Sequence, residues 1–183
     1  MCFCGKFILL DFEFKVGEEV IKIIKCFFFL LLVLLFLNGC NPSNVNEDIF
    51  QFKDSYVGDN GAVGNITMRL PSPNGEHLNG LELKTTKEPY GIILNYKKAD
   101  TPEEIEKNYK ETAIYNATFI FALVKNADWV TFNFVDQEYR ITREKLQKWY
   151  GKKLREFTNE EDLAKLTQEF LADEGKVSQF FRE

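Results

Sequence analysis

ADTPEEIEKNYKETAIYNATFIFALVKNA, residues 99–127, decides the fold, because it is the strongest helical pattern in the chain. Thr101 suits the N-cap, Pro102 suits the first helical position, and Glu104 completes a capping box. The later part, Phe119 to Val124, is apolar on nearly every side of a helix. A helix without a polar face must be covered on all sides. We therefore predict that its C-terminal half is the buried centre of a domain.

Strand patterns lie on both sides of this helix. Before it, residues 80–86 (GLELKTT) alternate apolar and polar side chains, and residues 92–97 (IILNYK) do so again after a Pro-Tyr-Gly break. Such a pair predicts a β-hairpin. After the helix, residues 129–134 (WVTFNF) place Val130, Phe132 and Phe134 on one face. The turn at Asp136-Gln137 leads into a short second strand, EYRI.

Further helices are marked by capping residues. Asp59 or Asn60 precedes a short apolar series that stops before Pro71, and Thr142 precedes REKLQKWY, which Gly151 ends. Thr158 with Glu161 predicts a last amphipathic helix, LAKLTQEFLADE, and leaves the tail KVSQFFRE unassigned. Residues 56–183 therefore predict one α+β domain, a small antiparallel sheet packed by about four helices.

The N-terminal part predicts export and attachment to a membrane. The stretch KCFFFLLLVLLFLNGC, residues 25–40, contains twelve consecutive apolar residues, Cys26 to Leu37. A membrane-spanning helix needs about 20, whereas roughly 10–14 suit the core of a signal peptide. Leu-Asn-Gly-Cys resembles a bacterial lipobox, which implies a diacylglyceryl group on Cys40. We predict a signal segment over 1–39 and a flexible tether over 40–55; the alternative is a buried core helix.

Residues 1–20 do not fit an export signal, because four acidic side chains precede the apolar core. Either the true start lies near Val20, or the signal is unusually long. All four cysteines fall within the first forty residues. The part after Cys40 therefore has no disulfide framework and no thiolate metal site.

Charge gives no indication of a polyanionic partner. The formal net charge is −5, and residues of both signs alternate along the chain. We predict no nucleic-acid partner, and no polybasic patch for anionic lipid.

A family resemblance rests on several blocks in the expected order. YVGDNGAVGNI, LPSPNG, LELKTTKEPYGIILNY, FALVKNADWVTF and ITREKLQKWYGKKLREF resemble the domain-of-unknown-function 4825 family over roughly residues 56–157. The resemblance implies a lipoprotein of Gram-positive bacteria, in a family found beside membrane-embedded metallopeptidase receptors. The family has no assigned activity to carry over.

Candidate chemistry is sparse. His77 is the only histidine and lies in a Gly/Asn/Pro turn, where a solvated side chain is the simpler interpretation. We predict no catalytic residue, no metal and no cofactor. One constellation of large or polar side chains beside turns suggests a binding surface. Its members are Tyr56, Asp59, Asn60, Tyr90, Trp149 and Tyr150. The alternative is that Trp149 and Tyr150 pack a helix end onto the sheet.

Three functions remain open from the sequence. The first is a non-catalytic binding or sensing domain, lipid-anchored at the outer face of the cell membrane, whose partner is an envelope protein or a receptor-type membrane peptidase. The second is a cell-envelope hydrolase that uses carboxylates such as Asp59 and Asp136. The third is a purely structural lipoprotein.

Overall fold

A computed structural model describes residues 48–100 and 108–182, together with Ile24, Lys25 and Phe27. The chain divides into two compact units, Met1–Glu47 and Asp48–Glu183. In the first unit the three described residues are helical and exposed. Within the described residues, no helix has both the length and the apolar character that crossing a membrane requires.

Several predictions from the sequence lie outside the described residues. They are the signal segment apart from the three residues above, the lipobox with Cys40, the tether as far as residue 47, and the capping box at Thr101 and Glu104.

The central helix, α2 (Tyr109–Leu123), is buried along most of its length. Twelve of its fifteen residues are buried, including Phe119 and Phe121. The polar Thr118 lies among them, and its hydroxyl donates to the carbonyl of Ile114 at 2.7 Å. The prediction that the later half of this helix forms the buried centre is confirmed.

Four strands form one sheet in the order β1 (Glu76–Lys84), β2 (Gly91–Lys98), β3 (Trp129–Asn133) and β4 (Glu138–Thr142). The outer pairs, β1–β2 and β3–β4, are antiparallel, as predicted. The inner pair β2–β3 is parallel. The α+β class is confirmed, but the sheet is mixed and not purely antiparallel. The reason is that α2 lies between β2 and β3 in sequence, and a helical crossover returns the chain in its original direction.

The two faces of the sheet differ in character. Ile92, Leu94, Val130 and Phe132 are buried in the core with α2. The alternate positions face the other way. On that second face the Nδ2 group of Asn133 donates to Asn95 Oδ1 at 2.7 Å.

The remaining helices are α1 (Asn60–Arg69), α3 (Arg143–Tyr150), α4 (Glu160–Leu171) and α5 (Glu174–Arg182). Residues 48–100 and 108–182 thus contain five α-helices, one more than the predicted four or so. The additional helix, α5, is the tail that the sequence left unassigned.

Capping explains where these helices begin and end. Thr142 caps α3, accepting from the N–H of Lys145 at 3.2 Å, and Gly151 ends it with φ 66°. Both assignments are confirmed. The cap of α4 is Asn159 and not Thr158, because the Asn159 side chain accepts from the N–H of Asp162 at 2.9 Å.

The domain begins earlier than predicted. A short 3₁₀-helix, Ile49–Phe52, precedes α1, and its first two side chains are only 4% and 7% exposed. Residues 49–55 are therefore part of the folded domain and not a tether. Apolar burial at Ile49 and Phe50 is the physical reason, since a flexible tether would leave them in water.

Candidate functional site

The first predicted binding residues lie around the start of α1. Tyr56 is 53% exposed, and the Lys125 Nζ atom lies 3.7 Å from the centre of its ring. The Asp59 carboxylate accepts from the N–H of Ala62 at 3.0 Å, so it is the N-cap of the helix. Asn60 is exposed as the first helical residue. Capping explains Asp59 without a ligand.

Tyr90 lies just before β2 and is tied to the chain by its backbone. Its N–H donates to Asp128 Oδ2, and its carbonyl accepts from the N–H of Asp128, both at 2.9 Å. The Asp128 carboxylate therefore fixes the start of β2 beside the start of β3.

Trp149 and Tyr150 lie in an aromatic cluster between α3, α4 and α5. The indole of Trp149 meets the ring of Phe170 edge-on, with the two ring centres 4.9 Å apart. Its centre lies 5.2 Å from the ring centre of Phe180. Tyr150 is 5% exposed and its hydroxyl shares a hydrogen bond with Thr118 at 2.9 Å. Burial raises the pKa of Tyr150 to about 12. Tyr150 is thus a core residue, and this helix end packs on other helices.

The six predicted residues therefore occupy three separate places in the domain. No hydrogen bond or ring contact within the described residues joins one place to another. They do not form a single site.

A different group of side chains forms a groove at the start of the parallel strand pair. The groove encloses about 460 Å³. Its lining combines an aromatic ring, a proline and charged groups of both signs, and we call it the Trp129 groove. It is lined by Pro89, Asp128, Trp129, Arg140, Thr142, Arg143, Glu144 and Gln147.

The floor of the Trp129 groove is held in place from two sides. The indole N–H of Trp129 donates to the carbonyl of Pro89 at 3.0 Å. Its ring lies against Gly91, the partner of Trp129 in the parallel register. The Arg140 side chain covers this ring, and its guanidinium carbon lies 3.9 Å from the ring centre. Arg140 is exposed and forms no ion pair with another described residue.

Arg143 builds the wall of the groove and is fully engaged. Its guanidinium donates to three carbonyls at the end of α2, those of Phe121, Val124 and Ala127, at 2.6 to 2.7 Å. Burial lowers the pKa of Arg143 to about 10. Its charge satisfies the carbonyls that a helix end leaves without partners. Arg140 is consequently the arginine of this groove that can meet a ligand.

A second groove of about 490 Å³ lies on the other side of α3. It shares Thr142 and Glu144 with the first groove, and it is also lined by Lys145, Lys148, Trp149 and Phe180. The Lys145 Nζ atom lies 4.8 Å from the ring centre of Phe180. Each groove therefore places a cation over an aromatic ring, and each contains one of the two tryptophans of the chain.

Two carboxylates meet elsewhere in the domain, but they are not the pair that the sequence suggested. The hydroxyl of Tyr109 contacts Glu76 Oε1 and lies 3.1 Å from Asp136 Oδ2. Glu76 is 5% exposed, and its other oxygen accepts from the N–H of Val135 at 3.1 Å. Asp59 instead caps α1. These bonds tie β1, α2 and the β3–β4 turn together, which is a structural role.

His77 lies in β1, half-buried. Among the described residues, no three His, Cys, Asp or Glu side chains are grouped so that they could hold a metal ion.

Trp129 and Arg140 are not among the residues predicted from the sequence, because that prediction rests on the apolar face of their strands alone. The alternation of side chains between the two faces of each strand contained the information needed to find them. Trp129 pairs with Thr142, and Thr131 pairs with Arg140, so all four lie on the face opposite Val130. Pairing the two predicted strands would have placed the two groove residues side by side.

Comparison with known proteins identifies the family and nothing further. The family described as Domain of unknown function (DUF4825) matches residues 49–144, just over half of the chain. The match begins earlier and ends earlier than the blocks at 56–157 suggested. It contains every residue that lines the Trp129 groove except Gln147. No curated protein and no solved structure matches the chain. The chain therefore belongs to the DUF4825 family.

Proposed function

We propose that this protein is an extracytoplasmic lipoprotein, tethered to the membrane through lipid on Cys40, whose domain binds a partner without chemical turnover. The sequence Cys26–Leu37 followed by Leu-Asn-Gly-Cys supports the tether. The observation that carries the binding function is the Trp129 groove, where an exposed arginine covers a fixed indole.

The size and chemistry of the groove suit a segment of another protein. Its volume, about 460 Å³, lies within the usual range for ligand sites. Trp and Arg, together with Tyr, are the side chains enriched among those that dominate protein–protein binding energy. Because Gly91 and Pro89 fix the indole before a ligand arrives, little conformational freedom is lost on binding. We therefore favour another envelope protein, with a receptor-type membrane peptidase as the specific candidate.

The bonds of the polar groups favour binding over turnover. Asp59 caps a helix, Asp128 holds the N–H of Tyr90, and Arg143 holds three carbonyls. Each of these side chains therefore has a structural role that needs no catalytic step to explain its position.

The tether is tested by labelling the acyl chain. Cells of a Gram-positive host that express the full chain are fed an alkyne analogue of palmitate, and the protein is recovered and conjugated to a dye. We expect label on the natural chain and on Cys26→Ser, because Cys26 lies in the segment removed. Cys40→Ser should carry none. Equal labelling of Cys40→Ser and the natural chain would contradict the tether.

Binding is tested by site-specific photo-crosslinking in the same cells. A benzophenone amino acid placed at Gln147, on the groove wall, should join the chain to one envelope protein that mass spectrometry identifies. The same probe at exposed Lys87 is the control. Arg140→Ala, introduced in the Gln147 probe chain, should remove the adduct. An adduct of equal yield from both probe positions, or one that is indifferent to Arg140, would refute the groove as the binding site.

The hydrolase remains a second candidate, because Glu76 and Asp136 both contact Tyr109. Turnover of cell-wall fragments or peptides that disappears in Glu76→Gln or Asp136→Asn would replace the binding function. A structural lipoprotein predicts neither turnover nor a specific adduct.

A further inference from the structure

One segment departs from the even alternation of charge along the chain. Residues 140–155 contain seven Lys and Arg residues and a single acidic residue, Glu144. The rest of the chain has 16 basic and 27 acidic residues. The expectation that the chain has no polybasic patch is therefore wrong at this place, and the charge is strongly segregated.

The fold leaves several of these basic side chains in water. Arg140 in β4, Lys148 in α3, and Lys152 and Lys153 in the turn that follows α3 are exposed. Lys152 borders a shallow groove that also contains Lys165, Asp162 and Glu169, and the two carboxylates offset part of the charge of the two lysines. We call Lys148, Lys152 and Lys153 the basic ridge.

The C-terminal end of the basic ridge, at Lys153, lies two residues before a segment that is bonded to the place where the chain enters the domain. Lys53, directly after the first 3₁₀-helix, donates through Nζ to the carbonyl of Arg155 at 2.8 Å and also to that of Phe157. The Arg155 guanidinium forms an ion pair with Asp54 at 2.7 Å. Residues 53–54 are thus bonded to the segment that continues the basic ridge.

The chain between Cys40 and this place is short. Seven residues lie between Cys40 and Asp48, and even when this segment is fully extended it spans no more than about 30 Å. If lipid holds Cys40 in the bilayer, the side of the domain where the chain enters is the side nearest the membrane surface. That side carries the end of the basic ridge formed by Lys152 and Lys153, which lie just before the bonded segment at Arg155.

We propose that the basic ridge contacts anionic phospholipid headgroups of the membrane that anchors the protein. The proposal rests on the lipid tether proposed above and names a second ligand for it. A basic patch within a Debye length of an anionic surface is attracted although the whole chain is acidic. A lipid anchor combined with such a patch holds a protein more firmly than the anchor alone. The domain would then lie in a fixed orientation on the membrane.

The test uses the chain from Asn41, which lacks the acylated cysteine but retains the whole compact unit with its core. Vesicles of phosphatidylglycerol mixed with phosphatidylcholine are floated with this protein, and vesicles of pure phosphatidylcholine serve as the neutral reference. We expect binding to the anionic vesicles only, and its loss at high salt. Reversal of the ridge (Lys148→Glu, Lys152→Glu, Lys153→Glu) should weaken partitioning by at least roughly a hundredfold.

The matched control reverses three exposed lysines elsewhere, Lys87, Lys97 and Lys98. It has the same net charge as the ridge variant, and it should retain most of the binding. Circular dichroism of both variants checks that each is folded. Equal losses in both variants, or no binding to anionic vesicles, would overturn the proposal. A ridge variant that binds vesicles normally but loses a crosslinked envelope protein would show that the ridge recognises protein.

The result of the vesicle experiment can be distinguished from the result of the labelling experiment that tests the lipid tether. The truncated chain has no Cys40, so vesicle binding does not depend on acylation. Palmitate labelling of the full chain reports the tether alone.

Discussion

Trp129 lies directly across Gly91. A Cβ atom built at Gly91 would stand 2.1 Å from the indole Cε2 atom and 2.2 Å from Cδ2, far inside any van der Waals contact. The two residues are partners in the parallel register of β2 and β3. The floor of the Trp129 groove therefore depends on the absence of a side chain at one position of the neighbouring strand.

Gly91→Ala should destabilise the fold by about 1–3 kcal/mol, because the indole must move or the strands must separate. The measurement is urea unfolding followed by Trp fluorescence. Gly64→Ala is the matched control, since Gly64 lies within α1 and a Cβ there has no neighbour within 4 Å. That change should stabilise by roughly 0.5–1 kcal/mol. A Gly91→Ala protein as stable as the natural one would show that the indole is not held in place.

Arg143→Met should cost roughly 3 kcal/mol of stability, because three carbonyls at the end of α2 lose their donor together. Arg140→Met removes the other arginine of the groove, which only covers Trp129, and should cost about 1 kcal/mol or less. Thermal unfolding of the two variants side by side measures the difference. Equal losses of stability in the two variants would contradict the conclusion that Arg143 supports the fold while Arg140 is available to a ligand.

Stability should fall in alkaline solution as buried phenols lose their protons. Burial raises the pKa of Tyr96 and of Tyr150 to about 12 in the folded state. In the unfolded chain a tyrosine titrates near pH 10. The stabilisation from each is therefore complete below about pH 10 and is lost as pH rises to about 12, on the order of 3 kcal/mol per group.

Arg143 acts in the opposite direction, because its folded pKa of about 10 lies below its unfolded value. A net loss of stability with rising pH is still expected, since the effect of the two tyrosines exceeds the opposite effect of the one arginine. Urea unfolding at a series of pH values measures the slope. Tyr150→Phe should reduce the slope above about pH 10, at the cost of roughly 1 kcal/mol at neutral pH for the lost bond to Thr118. An unchanged slope would contradict a buried phenol at position 150.

Asp59→Ala should lower stability by about 1 kcal/mol through loss of the N-cap of α1. Asn60→Ala, one residue further, should have little effect because Asn60 is exposed and caps nothing. Chemical unfolding measures both. In the crosslinking assay, Asp59→Ala should leave the Gln147 adduct intact. Loss of that adduct without loss of stability would restore Asp59 to the binding site.

Local signals predicted most of the helices and strands. Thr142 and Gly151 fixed both ends of α3, and the apolar residues Phe119 to Val124 fixed the buried centre. The parallel pairing of β2 with β3 could not be obtained in this way, because it depends on where α2 packs and not on either strand alone. Ile49 and Phe50 show the same limit, since two apolar residues beside a polar stretch have no periodicity to interpret.

The candidate site was harder to predict than the fold. Tyr150 is a large residue beside a turn, but tyrosine is intermediate between the buried and the exposed residue types, so only packing decides whether it is accessible. Trp129 and Arg140 are eleven positions apart in sequence. Their contact is created by the β3–β4 pairing.

The mixed sheet also constrains how the domain can assemble. Its two hairpin pairs are local, but the strands at its centre are separated by the whole of α2. Contacts between distant parts of a chain form late, because a long loop must close first. A polypeptide made from its N-terminus cannot complete the middle of this sheet until Asn133 has been synthesised. Until then Ile92 and Leu94 are without their β3 neighbours, so a growing chain would need shielding from aggregation over that interval.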